Sequence, residues 1–270
     1  AQIREGVEYF KARQPVAAIG IGFGGPVNWQ TGVVARSHQV EGWSGFNLQR
    51  WAAQLAGGAP AQVDNDANVA ALAEAKLGAG AGRNLVCYVT LGSGVGGGFV
   101  LGGEIYHGAF PGESEIGHLR LDPSGVILEE RCSGWSVDRR IRAEIKKKPS
   151  SKLARLVRRD RRGEAKHLGA ALEAGDPLAR SILQETARDL AFGLSHVAHL
   201  FHPEVIVLGG GLSKVGAPLR SAVAAHLKSF LMEVFQPGPL VRIAKLGDQV
   251  VPAGALLLAK KAGEAALTAR

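Results

Sequence analysis

The stretch LVCYVTLGSGVGGGFVL, residues 85–101, reads as a strand, a glycine turn and a second strand. Leu85 to Thr90 is a β-branched and aromatic run, and Gly98 to Leu101 resumes it beyond the glycines. Glu104 to Tyr106 follows as a third strand. Working outward, Ala61 to Val63 is a short strand that leads into Asp64, Asn65 and Asp66. Ala67 to Leu77 is then rich in Ala and Leu and stops at Gly78, as a helix with a C-terminal glycine does. Farther upstream, Val16 to Ile21 is an apolar run that ends in Gly22, Gly24, Gly25 and Pro26, a buried strand entering a turn. Downstream, Asp176 and Pro177 supply an N-cap and a first-position proline. The helix they open carries Ile182, Leu183, Leu190, Leu194 and Val197 at helical spacing, up to Pro203. Val205 to Leu208 is a buried strand broken by Gly209 to Gly211, and Gly254 to Lys261 is a final helix. Strands alternate with helices, so the class is α/β.

The chain has 270 residues, 46% of them apolar, enough for one large domain or two smaller ones. Its apolar runs are far shorter than a membrane span, and no basic-then-apolar leader opens it. It begins with Ala1 rather than Met, which leads us to expect an upstream piece. Two cysteines, Cys87 and Cys132, cannot build a disulfide framework and suit a reducing cytoplasm. The net charge is +8, and residues 139–167 alone hold 13 Lys and Arg against Glu144, Asp160 and Glu164. That segment is a polyanion site or, as we favour, a solvated helix-and-loop face. It holds no Phe, Tyr or Trp, so single-strand stacking is unsupported.

Four places carry chemistry. Thr90, Gly92, Ser93, Gly94 and Gly96 follow a strand, where glycines let backbone amides approach phosphate oxygens and the two hydroxyls add donors. The same glycines suit a tight hairpin equally well. Gly209, Gly210 and Gly211 lie beyond the carboxyl end of a buried strand, where α/β sheets bind ligands, or where a turn packs a helix. Asn65 and Asp66 stand at a strand-to-helix junction: Asn65 can bond sugar hydroxyls and Asp66 can accept a hydroxyl proton, or either can cap the helix. Glu113, Glu115 and His118, followed by Glu129, offer acceptors to neighbouring hydroxyls, or are surface carboxylates. With Cys132 nearby zinc comes to mind, but one thiol is too few for a structural site.

The order of these places resembles the ROK family of sugar kinases and sugar-responsive repressors over nearly the whole chain. Gly20 to Val27 resembles the family's early Gly-Pro turn, and Val63 to Glu74 its Asn-Asp-Ala-Asn segment. Thr90 to Gly98 resembles its second phosphate loop, with Ser93 where Thr is usual. Glu115 to His118 is similar to the family signature, Leu128 and Glu129 with Ser133 and Gly134 to its last sugar carboxylate stretch, and Pro203 to Gly211 to its adenosine-side loop. The resemblance implies Asp66 as catalytic base, with Asn65, Glu115, His118 and Glu129 on the sugar. It implies ATP with Mg2+, and an actin-like, ribonuclease-H-type pair of α/β domains around a central cleft. The family's first phosphate loop would then lie upstream, so part of the first domain is absent. The family's cysteine-rich zinc loop is missing, since only Leu119 to Leu128 fills its place, so no zinc is expected. Gln39 stands where Asn is common before Gly42 and Trp43.

The resulting expectation is a cytoplasmic, homodimeric, glucokinase-like enzyme acting on a small hexose. Residues 1–65 with 250–270 would form the smaller domain and 66–249 the larger one. No membrane partner is expected, and no nucleic acid unless a helix-turn-helix precedes the chain. The alternatives are a sugar-sensing repressor and a catalytically degenerate sugar-binding protein.

Overall fold

The structure, a computed structural model, describes residues 2–37, 40–110, 114–160 and 163–268. Gln39, Glu113 and the pair Arg161 and Arg162, all noted in the sequence, lie outside the described residues. The chain opens with α1 (Gln2–Lys11), a helix without a buried side chain that the sequence reading did not foresee. Next come β1 (Ile19–Phe23), a small hairpin of β2 (Val27–Asn28) and β3 (Val33–Val34), then α2 (Leu48–Leu55) and β4 (Ala61–Asn65). β1 and β4 pair in parallel, from Ile19 with Ala61 to Phe23 with Asn65. The expected strand at Val16 to Ile21 is thus displaced toward the C-terminus, because the ladder starts only where the Ile19 amide reaches the Pro60 carbonyl at 2.8 Å. Phe23, Val27, Val34, Leu48 and Val63 form a small core there, with Trp43, Phe46 and Trp51 packed against it.

α3 (Asp66–Leu77) follows β4 without a linker. Every residue from Ala67 to Ala75 is buried, so α3 is a core helix with no polar stripe. The chain then lays down β5 (Leu85–Leu91), β6 (Val95–Leu101) and β7 (Glu104–Ile105). Helices α4 (Leu128–Cys132), α5 (Gly134–Lys147), α6 (Lys152–Arg159), α7 (Leu168–Glu173) and α8 (Pro177–Phe201) come next. β8 (Val205–Gly209), α9 (Ala217–Phe230), β9 (Leu240–Ile243) and α10 (Val250–Thr268) complete it. The main sheet has the order β7-β6-β5-β8-β9, with β5 antiparallel to β6 and parallel to β8.

Period-two alternation sends the two faces of this sheet into different cores. Cys87, Val89, Leu91, Ile206 and Leu208 face the α4–α9 layer, while Val86, Tyr88, Val205 and Val207 face α3 and α10. Strands buried on both faces read as continuous apolar runs, which is why β5 and β8 were legible. α10 is longer than the expected Gly254 to Lys261: Pro252 sits in its first turn, where proline is tolerated, and no breaker follows Lys261. The basic segment forms α5 and α6, with Ile141, Leu153 and Val157 inward and Arg142 paired to buried Glu164 at 2.8 Å. Among the described residues no helix is long and apolar enough to cross a membrane.

Candidate active site

The junction of β4 and α3 sets the geometry. Asn65 is the N-cap: its Oδ1 accepts the amides of Ala67 at 2.8 Å and Asn68 at 3.4 Å. Its Nδ2 donates to the Gly25 carbonyl at 3.1 Å, tying α3 to the turn after β1. The capping alternative therefore holds for Asn65, whose side chain is committed at both ends. The Asp66 carboxylate accepts its own amide and that of Ala67, and no side-chain donor is bonded to it among the described residues. It occupies the first turn of α3, where backbone amides favour the charged form. Burial outweighs them and pushes the Asp66 carboxyl above the usual aspartate range, against the lowering pull of the Ala67 and Asp66 amides.

The glycine stretch serves two ends at once. The hairpin alternative is realised, since β5 and β6 pair antiparallel from Leu85 with Leu101 to Leu91 with Val95. The turn itself is only Gly92 to Gly94, and Gly96, Gly97 and Gly98 belong to β6. A Cβ on Gly98 would stand 2.9 Å from the Ala67 carbonyl, and one on Gly97 would strike Ile116, so these two glycines exist for close packing. In the turn, Gly92 donates to the Gly94 carbonyl at 3.0 Å and accepts from Gly134, at the start of α5, at 2.7 Å. Glu129, on α4, accepts the Val95 amide at 2.8 Å, and the bare Cα of Gly94 admits its carboxylate. No protein acceptor among the described residues takes the amides of Ser93 and Gly94.

Two cavities meet at Asp66. One, of about 360 Å³, is lined by Gly25, Asn65, Asp66, Thr90, Gly92, Ser93, Gly94, Gly96, Ser114, Glu115 and Glu129, among others. The other, of about 290 Å³, is lined by Asp66, Tyr88, Thr90, Gly210, Gly211, Ser213, Lys214, Gly247 and Asp248, among others. Asp66, Ala67 and Thr90 belong to both walls. Most of the sequence-read residues are thus brought together, and two are not. Gly209 lies within β8, where a Cβ would strike the Tyr88 hydroxyl, so it serves packing rather than the cavity. His118 lines neither cavity; its ring is largely exposed, 3.5 Å from Glu115 Oε2.

Sequence reading missed Tyr88, Ser213, Lys214 and Asp248. The Ser213 and Lys214 pair just after three glycines was the available signal, and Lys214 forms an ion pair with Asp248 at 3.2 Å. Burial pushes the Tyr88 phenol up to about 12; a hydrogen bond from Thr90 opposes it, and the charges of Glu74 and Asp66 add smaller raises, so the phenol stays neutral. Among the described residues no group of three or more His, Cys, Asp or Glu is placed to hold a metal ion.

The profile of the ROK family matches residues 2–262. A glucokinase of Halalkalibacterium halodurans is 33% identical over 94% of this chain and 79% of its own length. The crystal structure of a ROK family glucokinase from Streptomyces griseus, in complex with glucose and AMPPNP, superposes with a TM-score of 0.81 at 30% identity. That match covers 95% of this chain and 88% of the other. A ROK family transcriptional regulator, a homologue of the E. coli MLC protein, gives a TM-score of 0.85 at 25% identity, over 97% of this chain but 67% of its own. The fold is accordingly the actin-like one of ROK sugar kinases, and the chain belongs to the ROK family.

Proposed function

We propose that the chain transfers the γ-phosphoryl group of ATP to a hexose hydroxyl, with Asp66 as general base. Kinship with the glucokinases makes the chain a hexose kinase; the roles of its residues are our inference. The observation that carries them is the shared wall: one basic carboxylate borders both cavities, next to a glycine turn with free amides. The 360 Å³ cavity, with Glu115 and Glu129, suits a polyol, and the 290 Å³ cavity, with Lys214 beyond Gly210 and Gly211, suits the nucleotide. As the sugar oxygen forms its bond to phosphorus, its proton passes to Asp66 and the bond to the ADP oxygen breaks. The amides of Ser93 and Gly94 and the hydroxyls of Thr90 and Ser93 donate to the phosphoryl oxygens, which carry the charge. A carboxylate made more basic by burial is better matched to that proton than an ordinary aspartate.

Magnesium, a homodimeric state and a cytoplasmic location belong to the same proposal and rest on the family resemblance and the two cysteines. So does the division into a smaller domain, residues 1–65 with 250–270, and a larger one, 66–249. An ADP-release assay with Mg-ATP across glucose, fructose, mannose, allose and N-acetylated hexosamines tests the reading, and turnover of glucose is expected. Sugar binding without turnover on any of them would instead favour the sensing role of the transcriptional regulators.

A further inference from the structure

Asp64 lies two residues before Asp66 and is fully buried, yet the mechanism above does not use it. Its Oδ1 accepts the Asn65 amide at 2.8 Å and the Asn68 Nδ2 at 3.0 Å. Its Oδ2 meets His107 Nε2 at 2.7 Å, and the side chains are 1% and 12% exposed. His107 in turn lies flat on Trp29, with ring centroids 4.3 Å apart and planes 15° from parallel. One carboxylate therefore joins three segments: the β4–α3 junction that carries Asp66, the turn after β2, and the segment after β7. Tyr106 and Gly108, on either side of His107, share a cavity wall with Ser114 and Glu115, which also border the sugar-side cavity.

We infer that His107 is a positioning residue, which through Asp64 holds the Asp66 junction in register with the sugar-binding wall. The inference rests on the assignment of Asp66 as base, and it concerns the buried donor that keeps Asp66's backbone in place. His107 is the partner of Asp64 Oδ2 among the described residues. Without it, a buried carboxylate oxygen loses its donor and must turn toward water or toward the neighbouring amides. Either movement displaces Asn65 and Asn68, and so the first turn of α3. The stack on Trp29 fixes the ring plane, and with it the direction in which Nε2 meets Asp64.

The test compares wild type, His107→Ala and His107→Gln, the last because its amide nitrogen reaches the place of Nε2. Glucose kcat/KM should fall about tenfold to a hundredfold in His107→Ala, with the ATP KM within about twofold of wild type. His107→Gln should recover most of the loss. Hydrogen exchange is read in parallel: His107→Ala should lose protection both at the amides of residues 65–68 and at residues 104–110, and His107→Gln should retain both. Exchange confined to residues 104–110, or equal losses for sugar and ATP in both variants, would reduce the pair to a structural brace and overturn the inference. If wild type turns over no hexose, Asp66's assignment fails and the exchange result alone decides the coupling.

Discussion

At the scale of the residue, Asp66 is governed by two opposed influences, and burial wins over the helix amides. An aspartate whose folded-state pKa is raised is a cost to stability while it is charged. Above the raised value the folded state bears a desolvated charge that the unfolded chain solvates freely. Below the ordinary aspartate value of about 3.9 both states are neutral and the cost is gone. Asp66→Asn should therefore raise the melting temperature at pH 7, and the gain should shrink as pH falls through the raised value. The same change should lower kcat by about 10² to 10⁴ with little effect on sugar affinity. Calorimetry across pH and steady-state kinetics check the two halves, and an unchanged kcat would leave Asp66 as an inert first-turn residue. Glu129 makes a parallel case. Its bond to the Val95 amide means Glu129→Ala disturbs the glycine turn, whereas Glu129→Gln keeps an acceptor there. Glu129→Gln should weaken glucose binding by about 1.5–3 kcal/mol and leave an ATP analogue nearly unaffected, because it removes a charged acceptor from the sugar side. Asn65 and Asp66 were both legible in the sequence as site candidates, but not which of the two would cap the helix. That depended on Gly25, forty residues away, offering its carbonyl to Asn65.

At the scale of the element, glycine spacing announced a hairpin but not the use of each glycine. Gly92 and Gly98 look alike in the string, yet a Cβ at Gly92 meets nothing within 4 Å while one at Gly98 meets α3. Gly92→Ala should consequently leave stability within about 0.5 kcal/mol, whereas Gly98→Ala, forcing β6 off the first turn of α3, should cost about 1–3 kcal/mol. Denaturant unfolding of the two variants separates them. The cap of α8 was read correctly and proved to do more than expected. Asp176 accepts Leu178 and Ala179 at 2.7 and 3.1 Å, and also the Leu153 amide of α6 at 2.7 Å. Burial would push its carboxyl up, but the amides of Leu153, Ala179, Leu178 and Lys152 together hold it below the usual aspartate value. Such long-range bonds have no sequence signature, since they arise only when α6 and α8 pack. The α1 helix was missed although Ile3, Val7 and Phe10 recur at helical spacing, because that stripe spans only ten residues and buries no side chain in the fold.

At the scale of the whole molecule, the order of the motifs along the chain said more than any motif alone, because the fold brings β4, β5 and β8 to one edge of the cleft. What it could not show was how α10 returns. Gly254 packs on Val69 of α3 and Gly20 of β1 packs on Ala255, so the last helix reaches back to both α3 and the first strand. The same view bears on the expectation of no zinc. The family's zinc loop gathers thiols near the signature His, but here the two thiols sit inside the packed layers. Cys87 is buried in the central sheet and Cys132 on α4, where its Sγ donates to the Thr186 carbonyl at 3.6 Å. Burial pushes both thiols well above the usual cysteine range, which disfavours the thiolate that binds zinc. His118, by contrast, faces solvent beside Glu115. Two buried thiols held protonated and one exposed imidazole do not make up the four ligands that a structural zinc site needs. The expected outcome is that purified protein contains no stoichiometric zinc, and that treatment with a chelator, followed by restored Mg2+, leaves the melting temperature and the kinase rate unchanged. Bound zinc whose removal lowers the melting temperature would require a ligand set other than these residues, and would overturn the expectation, drawn from the short stretch Leu119 to Leu128, that no zinc is held.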